Sequence, residues 1–319
     1  MNRTKIILIT GVAGMLGSEL LKKVLKNNIV IGIDNFELGK KIFIEKYLKN
    51  KNFYFFNLDL SKKINNVFLK KILLKRKIDQ AWLLAANSDI KKGVSNSDVD
   101  LKNTFLTTYN TLFFIEKFLK KKTKIIFASS SAIYGNVKGK INENTLAKSP
   151  ESTYGSMKLA SENFISSFSF KNKIQTYIFR FPNVVGINIT HGILYDFNKK
   201  FLSNNKVVKV LGNGNQQKPY SFSTEILDCI QFTISKINLN RLNIFNIGPS
   251  DNGIKVKEIV KIFKNFFPKK IISYQNKETG WVGDIPKYKY DTKKINKLGY
   301  IFKLNSKKSI IKSVNKLYK

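Results

Sequence analysis

An apolar run from Lys5 to Thr10 meets three glycines, in Gly11-Val-Ala-Gly14-Met-Leu-Gly17, and passes at once into an amphipathic stretch. Glycines at this spacing let a chain turn sharply from strand to helix and let the two elements pack closely. A strand followed by a helix of this kind returns to a second strand parallel to the first. Ile29 to Asp34 supplies it, and the pattern then repeats through Phe53 to Asn57, Gln80 to Leu84, Lys124 to Ser129 and Thr176 to Phe181. Six such steps predict an α/β fold, a doubly wound parallel sheet covered by helices on both faces. Near-continuous apolar strands such as Ile6-Ile-Leu-Ile9 agree with double-sided burial.

Beyond Phe181 the pattern loosens into glycine, asparagine and proline punctuation, including Gly212-Asn-Gly214 and Gly248-Pro249. We expect residues 1–181 to form the large dinucleotide-binding domain and residues 182–319 a smaller C-terminal α/β substrate lobe, with a segment near 243–248 returning to the large sheet. No internal repeat or low-complexity linker interrupts the chain.

The glycine turn is a phosphate-binding element. Its backbone can approach a pyrophosphate, and the free N–H groups at the helix start face the phosphate charge. Asp34 ends the second strand, 17 residues after Gly17, where it can accept hydrogen bonds from an adenosine ribose diol and repel a 2′-phosphate. The expected cofactor is therefore NAD. Asp59, past the third strand, is placed to meet the adenine, or else to cap a helix.

Tyr154-Gly-Ser-Met-Lys158 puts a phenol and an ammonium on one helix face. A phenol is a poor base at neutral pH, whereas a neighbouring cation favours the phenolate, which can then take a proton from a sugar hydroxyl. Ser130 ends the fifth strand, on the side where ligands bind in open α/β sheets.

Composition removes other classes. The formal charge of +36 invites a nucleic-acid reading, but 53 of the 57 cationic residues are lysines, spread over nearly every expected helix. Arginine is the usual reader of bases and phosphates, so no specific nucleic-acid partner is expected. The single Cys229, read as core, and the lone His191 exclude a disulfide and a multi-histidine metal site. The basic start followed by a short apolar run is not a signal sequence, and no stretch of about 18 apolar residues follows, so no membrane partner and a cytoplasmic location are expected.

With these motifs in place, the chain resembles the extended short-chain dehydrogenase/reductase superfamily, specifically its NAD-dependent nucleotide-sugar epimerases and dehydratases, and most nearly UDP-glucose 4-epimerase-like proteins. The resemblance runs through the glycine turn, Asp34-Asn35-Phe36, Leu84-Ala85-Ala86, Ser129-Ser130-Ser131-Ala-Ile-Tyr134-Gly135, Tyr154-Gly-Ser-Met-Lys158, Arg180-Phe-Pro-Asn183, Gly212 to Tyr220 and Gly280 to Pro286. It implies a Rossmann-type domain that holds NAD through Gly11, Gly14, Met15, Leu16, Gly17, Asp34, Asn35, Asp59, Leu60, Ala85 and Ala86, with Tyr154 and Lys158 also touching it. It further implies Tyr154 as acid/base, Lys158 as its pKa-lowering partner, and Ser130 on the sugar oxygen. Ser88, Asn183 and Lys218 are implied substrate contacts, Lys218 and Trp281 standing where related 4-epimerases carry arginines. A homodimer through the helices around Asp98 to Lys121 and Ser152 to Phe168 is also implied, although Phe105, Leu112, Ile115 and Leu119 can equally pack against the chain's own sheet.

Family dehydratases carry an acidic pair directly after the catalytic hydroxyl, and decarboxylases a glutamate. This chain has Ser131 and Ala132 there. The expectation is a UDP-hexose 4-epimerase acting through a 4-keto sugar. Another NAD-dependent nucleotide-sugar reaction on the same fold, or a non-catalytic dinucleotide-binding protein, stays open.

Overall fold

A computed structural model of the chain describes residues 3–137, 139–147, 149–236, 240–281 and 283–318. Seven strands form the central sheet: β1 (Ile6–Thr10), β2 (Ile29–Asp34), β3 (Phe53–Asn57), β4 (Ile78–Leu83), β5 (Leu119–Ser130), β6 (Gln175–Phe181) and β7 (Leu242–Asn246). Their order is β7-β6-β5-β4-β1-β2-β3, and every pairing is parallel. The chain steps outward from β1 to β3, then crosses back to β4 and steps the other way. Strand order thus reverses between β1 and β4, which opens a crevice beyond their carboxyl ends.

Alternation along β1 decides which face each residue feeds. Ile7 and Ile9 pack with Leu20 and Leu21 on one side of the sheet, and Ile6 and Leu8 with Leu69 and Leu73 on the other. Each fully buried aliphatic side chain contributes about 1.5–3 kcal/mol, so Ile6 to Ile9 hold the sheet against both helix layers. Helix α1 (Met15–Val24) covers the first face through Leu20, Leu21 and Val24, while Lys22 and Lys23 lie in its last turn, where cations complement the helix dipole.

Helix α2 (Val67–Lys75) follows β3, and α3 (Thr107–Ile115) precedes β5. The single helix expected around Asp98 to Lys121 is divided. A short α-turn, Ser97–Asp100, leads into a π-helical turn, Leu101–Leu106, before α3, and β5 already begins at Leu119. Threonine hydroxyls stabilise the wide turn: Thr107 Oγ1 donates to the Lys102 carbonyl five residues back (3.1 Å), and Thr104 Oγ1 accepts from Asn87 N (3.2 Å). Leu112 and Ile115 enter the core, whereas Phe105 stays outside it against Tyr109 and Phe164. Helix α4 (Thr153–Asn172) starts where Ser152 Oγ accepts from Gly155 N (3.2 Å).

After β6 a separate apolar cluster forms around Phe197, Phe201, Val260, Phe263 and Ile310, braced by short strand pairs. Helix α5 (Ser223–Ser235) and β7 run back to the large sheet, and Cys229 is buried in its core. Among the described residues, no helix is long and apolar enough to cross a membrane.

Candidate active site

The crevice is a cavity of about 580 Å³, within the usual range for small-molecule sites. Every residue singled out above for cofactor or substrate lines it except Asp59. The Asp59 carboxylate accepts instead from Ser61 N (2.9 Å) and Ser61 Oγ (2.7 Å), and α2 is capped by Asn66. Asn66 thus takes the cap that one alternative gave to Asp59.

The glycine turn is as tight as its spacing suggested. Gly11 adopts φ +69°, and a Cβ there would lie 2.9 Å from the Ala85 backbone, which makes the opposite wall of the turn. A Cβ on Gly17 would lie 2.1 Å from the Gly11 carbonyl oxygen. Helix α1 begins without a side-chain cap or an acidic residue in its first turn, so its leading N–H groups are left for an anion. Asp34 Oδ2 accepts from Ala13 N (2.9 Å) and Oδ1 from Phe36 N (2.8 Å), fixing the carboxylate beside the turn. Burial pushes this carboxyl above its usual range, and those backbone bonds oppose the shift. These features fit a dinucleotide: a side-chain-free cradle, unpaired helix-start amides and an acid at the end of β2.

Tyr154 and Lys158 face the cavity from α4, and Ser130 reaches it from the end of β5. Lys158 is 2% exposed, and its Nζ donates to the Ala128 carbonyl (2.6 Å) and lies 5.8 Å from the Tyr154 ring centroid. Ser130 Oγ accepts from Ala132 N (3.1 Å) and is also hydrogen-bonded with the Tyr154 phenol. Burial pushes Tyr154 well up, opposed by Ser130 and reinforced by Asp100, while burial brings Lys158 down to about 7, opposed by Glu162.

The far end of the cavity holds Lys218, Trp281 and Asn183. Lys218 is paired with the buried Asp284 and lies 5.2 Å over the Trp281 ring. Its charge is therefore already matched within the protein. Asn183 Nδ2 donates to the Pro219 carbonyl (3.5 Å), and Ser88 borders the cavity beside Ala86. His191, also in the wall, has Nδ1 3.0 Å from Thr190 Oγ1. Among the described residues, no cluster of His, Cys, Asp or Glu could hold a metal ion.

Glu162 escaped the sequence reading, and so did its pairing with the Arg180 of Arg180-Phe-Pro-Asn183. Glu162 and Arg180 form a buried ion pair behind Ser129 and Lys158. The four-residue step from Lys158 to Glu162, continuing the one from Tyr154, was the signal available.

Fold and site together define a dinucleotide-dependent α/β protein with a Tyr/Lys/Ser constellation at the crevice. The chain belongs to the NAD dependent epimerase/dehydratase family, whose model matches residues 7–248. A putative UDP-glucose 4-epimerase of Methanocaldococcus jannaschii is 28% identical over 97% of each chain. A UDP-glucuronate 4-epimerase of Thermodesulfobacterium geofontis is 25% identical over 82% of this chain and 81% of its own. The solved UDP-glucose 4-epimerase of Thermotoga maritima, with UDP-glucose, shares the fold with a TM-score of 0.84 at 24% identity, over 98% of each chain.

Proposed function

We propose that the protein is an NAD-dependent nucleotide-sugar 4-epimerase acting on a UDP-hexose. The observation that carries the reading is the meeting of Tyr154, Lys158 and Ser130 with the glycine cradle in one cavity, where positions 131 and 132 after the catalytic hydroxyl bear no carboxylate. Bound NAD supplies the hydride acceptor and donor. Tyr154 takes the C4 hydroxyl proton and returns it, Ser130 holds the sugar oxygen, and Lys158 favours the phenolate. A 4-keto sugar that turns over in the site needs nothing further. Elimination would require an extra acid and base, and the nearby Asp89 already accepts from Lys92 N to cap its own helix (3.4 Å).

The same reading assigns residues 1–181, with β7, to the dinucleotide and the rest to the nucleotide sugar. It places the protein in the cytoplasm, where its one unpaired cysteine suits a reducing environment. It also makes the protein a homodimer. Phe105 in the π-helical turn, Tyr109 and Phe113 on α3 and Phe164 on α4 form an aromatic ladder, and Phe113 is 60% exposed, a surface suited to a second copy.

The test is incubation of purified protein with UDP-glucose and no added cofactor, followed by the anomeric proton signals. We expect galactose-type signals that vanish in Tyr154→Phe, with a rate loss of about 10²–10⁴, while NAD stays bound. Unchanged UDP-glucose from NAD-loaded protein would sink the UDP-hexose reading.

A further inference from the structure

We propose that Glu162 is a positioning residue of the catalytic set, a buried anion that maintains the charge of Lys158 from one helical turn away. The inference rests on the epimerase reading above.

Tyr154, Lys158 and Glu162 follow one another at four-residue steps on one face of α4. Glu162 is 4% exposed. Its carboxylate accepts from Arg180 Nε (3.0 and 3.2 Å) and Nη2 (2.6 Å), and from Ser129 Oγ. Ser129 lies between Ala128, whose carbonyl receives the Lys158 ammonium, and Ser130, which bonds with the phenol. Glu162 therefore grips β5 between the two points where the strand meets the catalytic groups. Arg180 anchors the other side, with Nη1 donating to the Tyr134 hydroxyl (2.8 Å), which donates to Asn246 Oδ1 (2.8 Å). Strands β5, β6 and β7 are thus tied to α4 through one buried pair.

The charges around Lys158 explain why the pair sits there. From α4 itself come Tyr154 and Glu162, and from β5 only a carbonyl and the Phe127 ring, 4.7 Å from Nζ. Arg180 approaches from β6 and Tyr134 from the turn after β5, while Asp100 acts on Tyr154 from the segment before α3. Burial pulls Lys158 toward neutrality, and Glu162 is the anion that opposes it. A carboxylate bonded directly to Nζ would occupy the ammonium. One turn away, and shared with Arg180, it sustains the charge and leaves Nζ free to serve the phenol and a cofactor ribose.

The experiment compares Glu162→Gln and Arg180→Gln with wild type as NAD-loaded enzyme, following UDP-glucose epimerisation across pH. Activity needs charged Lys158, so its loss sets the alkaline limb of the kcat profile. Glu162→Gln should move that limb acidward by about one to two pH units, a loss of about tenfold or more at neutral pH that recovers on acidification, with little change in KM. Arg180→Gln, which frees Glu162 to face Lys158, should move it the opposite way, and Glu162→Asp should restore most of the wild-type profile. A second readout needs no substrate: the titration of the Lys158 side chain in NAD-free protein, followed by NMR of the nitrogen-labelled lysine and taken as the difference from Lys158→Met, should shift acidward in Glu162→Gln. Variants that keep NAD but lose activity equally at every pH, with both titrations unmoved, overturn the proposal. So does a failure of both Gln variants to fold, which would make the pair purely structural. An inactive wild type whose Lys158 titration still responds to Glu162→Gln removes the epimerase reading instead.

Discussion

Replacing Gly17 with alanine tests the phosphate cradle without touching any polar group. The added Cβ would lie 2.1 Å from the Gly11 carbonyl oxygen and 2.7 Å from Val12 Cα. Ordinary C···O contact begins near about 3.3 Å, so the start of α1 must retreat by roughly 1 Å. The turn itself cannot yield. Gly11 N donates to Ile33 O (2.8 Å), and Gly14 N donates to the same Gly11 carbonyl (3.1 Å), which locks the turn to β2. Overpacking of this kind costs about 1–3 kcal/mol of stability. The displaced helix start also withdraws its amides from a bound pyrophosphate. At about 1.5–3 kcal/mol for each hydrogen bond to a charged group, two lost bonds amount to about 3–6 kcal/mol. NAD affinity should then fall by about 10² to 10⁴. The assay is NAD per chain in protein purified by gel filtration, together with a thermal unfolding curve. Gly17→Ala should emerge without NAD and unfold several degrees lower. Full NAD occupancy in Gly17→Ala would refute the reasoning.

Burial holds the Lys158 pKa in the folded chain at about 7, below its value in an unfolded one. The penalty for burying it is therefore complete below pH 7 and fades as pH rises toward the unfolded value. Lys158→Met should be more stable than wild type at pH 6, with the gap closing toward pH 10 in paired urea melts of NAD-free protein, and a gap independent of pH would contradict this. Phe113→Asp, on the exposed end of the aromatic ladder, should convert a dimer to a monomer by light scattering with secondary structure intact. A wild type that is already monomeric would remove the dimer proposal.

The sheet was legible because its strands are short, apolar and separated by amphipathic helices, a pattern that tertiary packing has little room to override. The turn was legible for a related reason: a backbone without side chains leaves its mark as glycine. The cap expected at Asp59 falls instead to Asn66, because position after a strand does not say which polar residue begins the next helix. The helix before β5 was drawn too long because side-chain periodicity cannot register a π-turn, which depends on the hydroxyls of Thr104 and Thr107. Glu162 and Arg180 were hidden by sequence distance. Each is an ordinary charged residue until the fold brings β6 against α4.

The charge of this protein is divided by depth. Among the described residues most lysines lie at the surface, some paired as Lys92 is with Glu37, and the excess of cations over acids gives the chain its +36. Inside, the ionic groups near the cavity are compensated in pairs, Glu162 with Arg180 and Lys218 with Asp284. Surface charges separated by more than about 8–10 Å are screened by physiological salt, whereas buried pairs are screened far less. The outer lysines can draw a polyanionic nucleotide sugar toward the cavity, but they have little hold on the chemistry within it. That chemistry starts from neutrality, since burial pushes the Tyr154 phenol up and Lys158 down. A phenolate beside an ammonium carries the same total charge as a phenol beside an amine, so a proton can pass between these groups without altering the charge the site must bury. Oxidised NAD held in the cavity would supply the positive charge that favours the phenolate of Tyr154. The reversible step therefore needs groups poised close to neutrality, which a lysine locked to its own carboxylate would not provide.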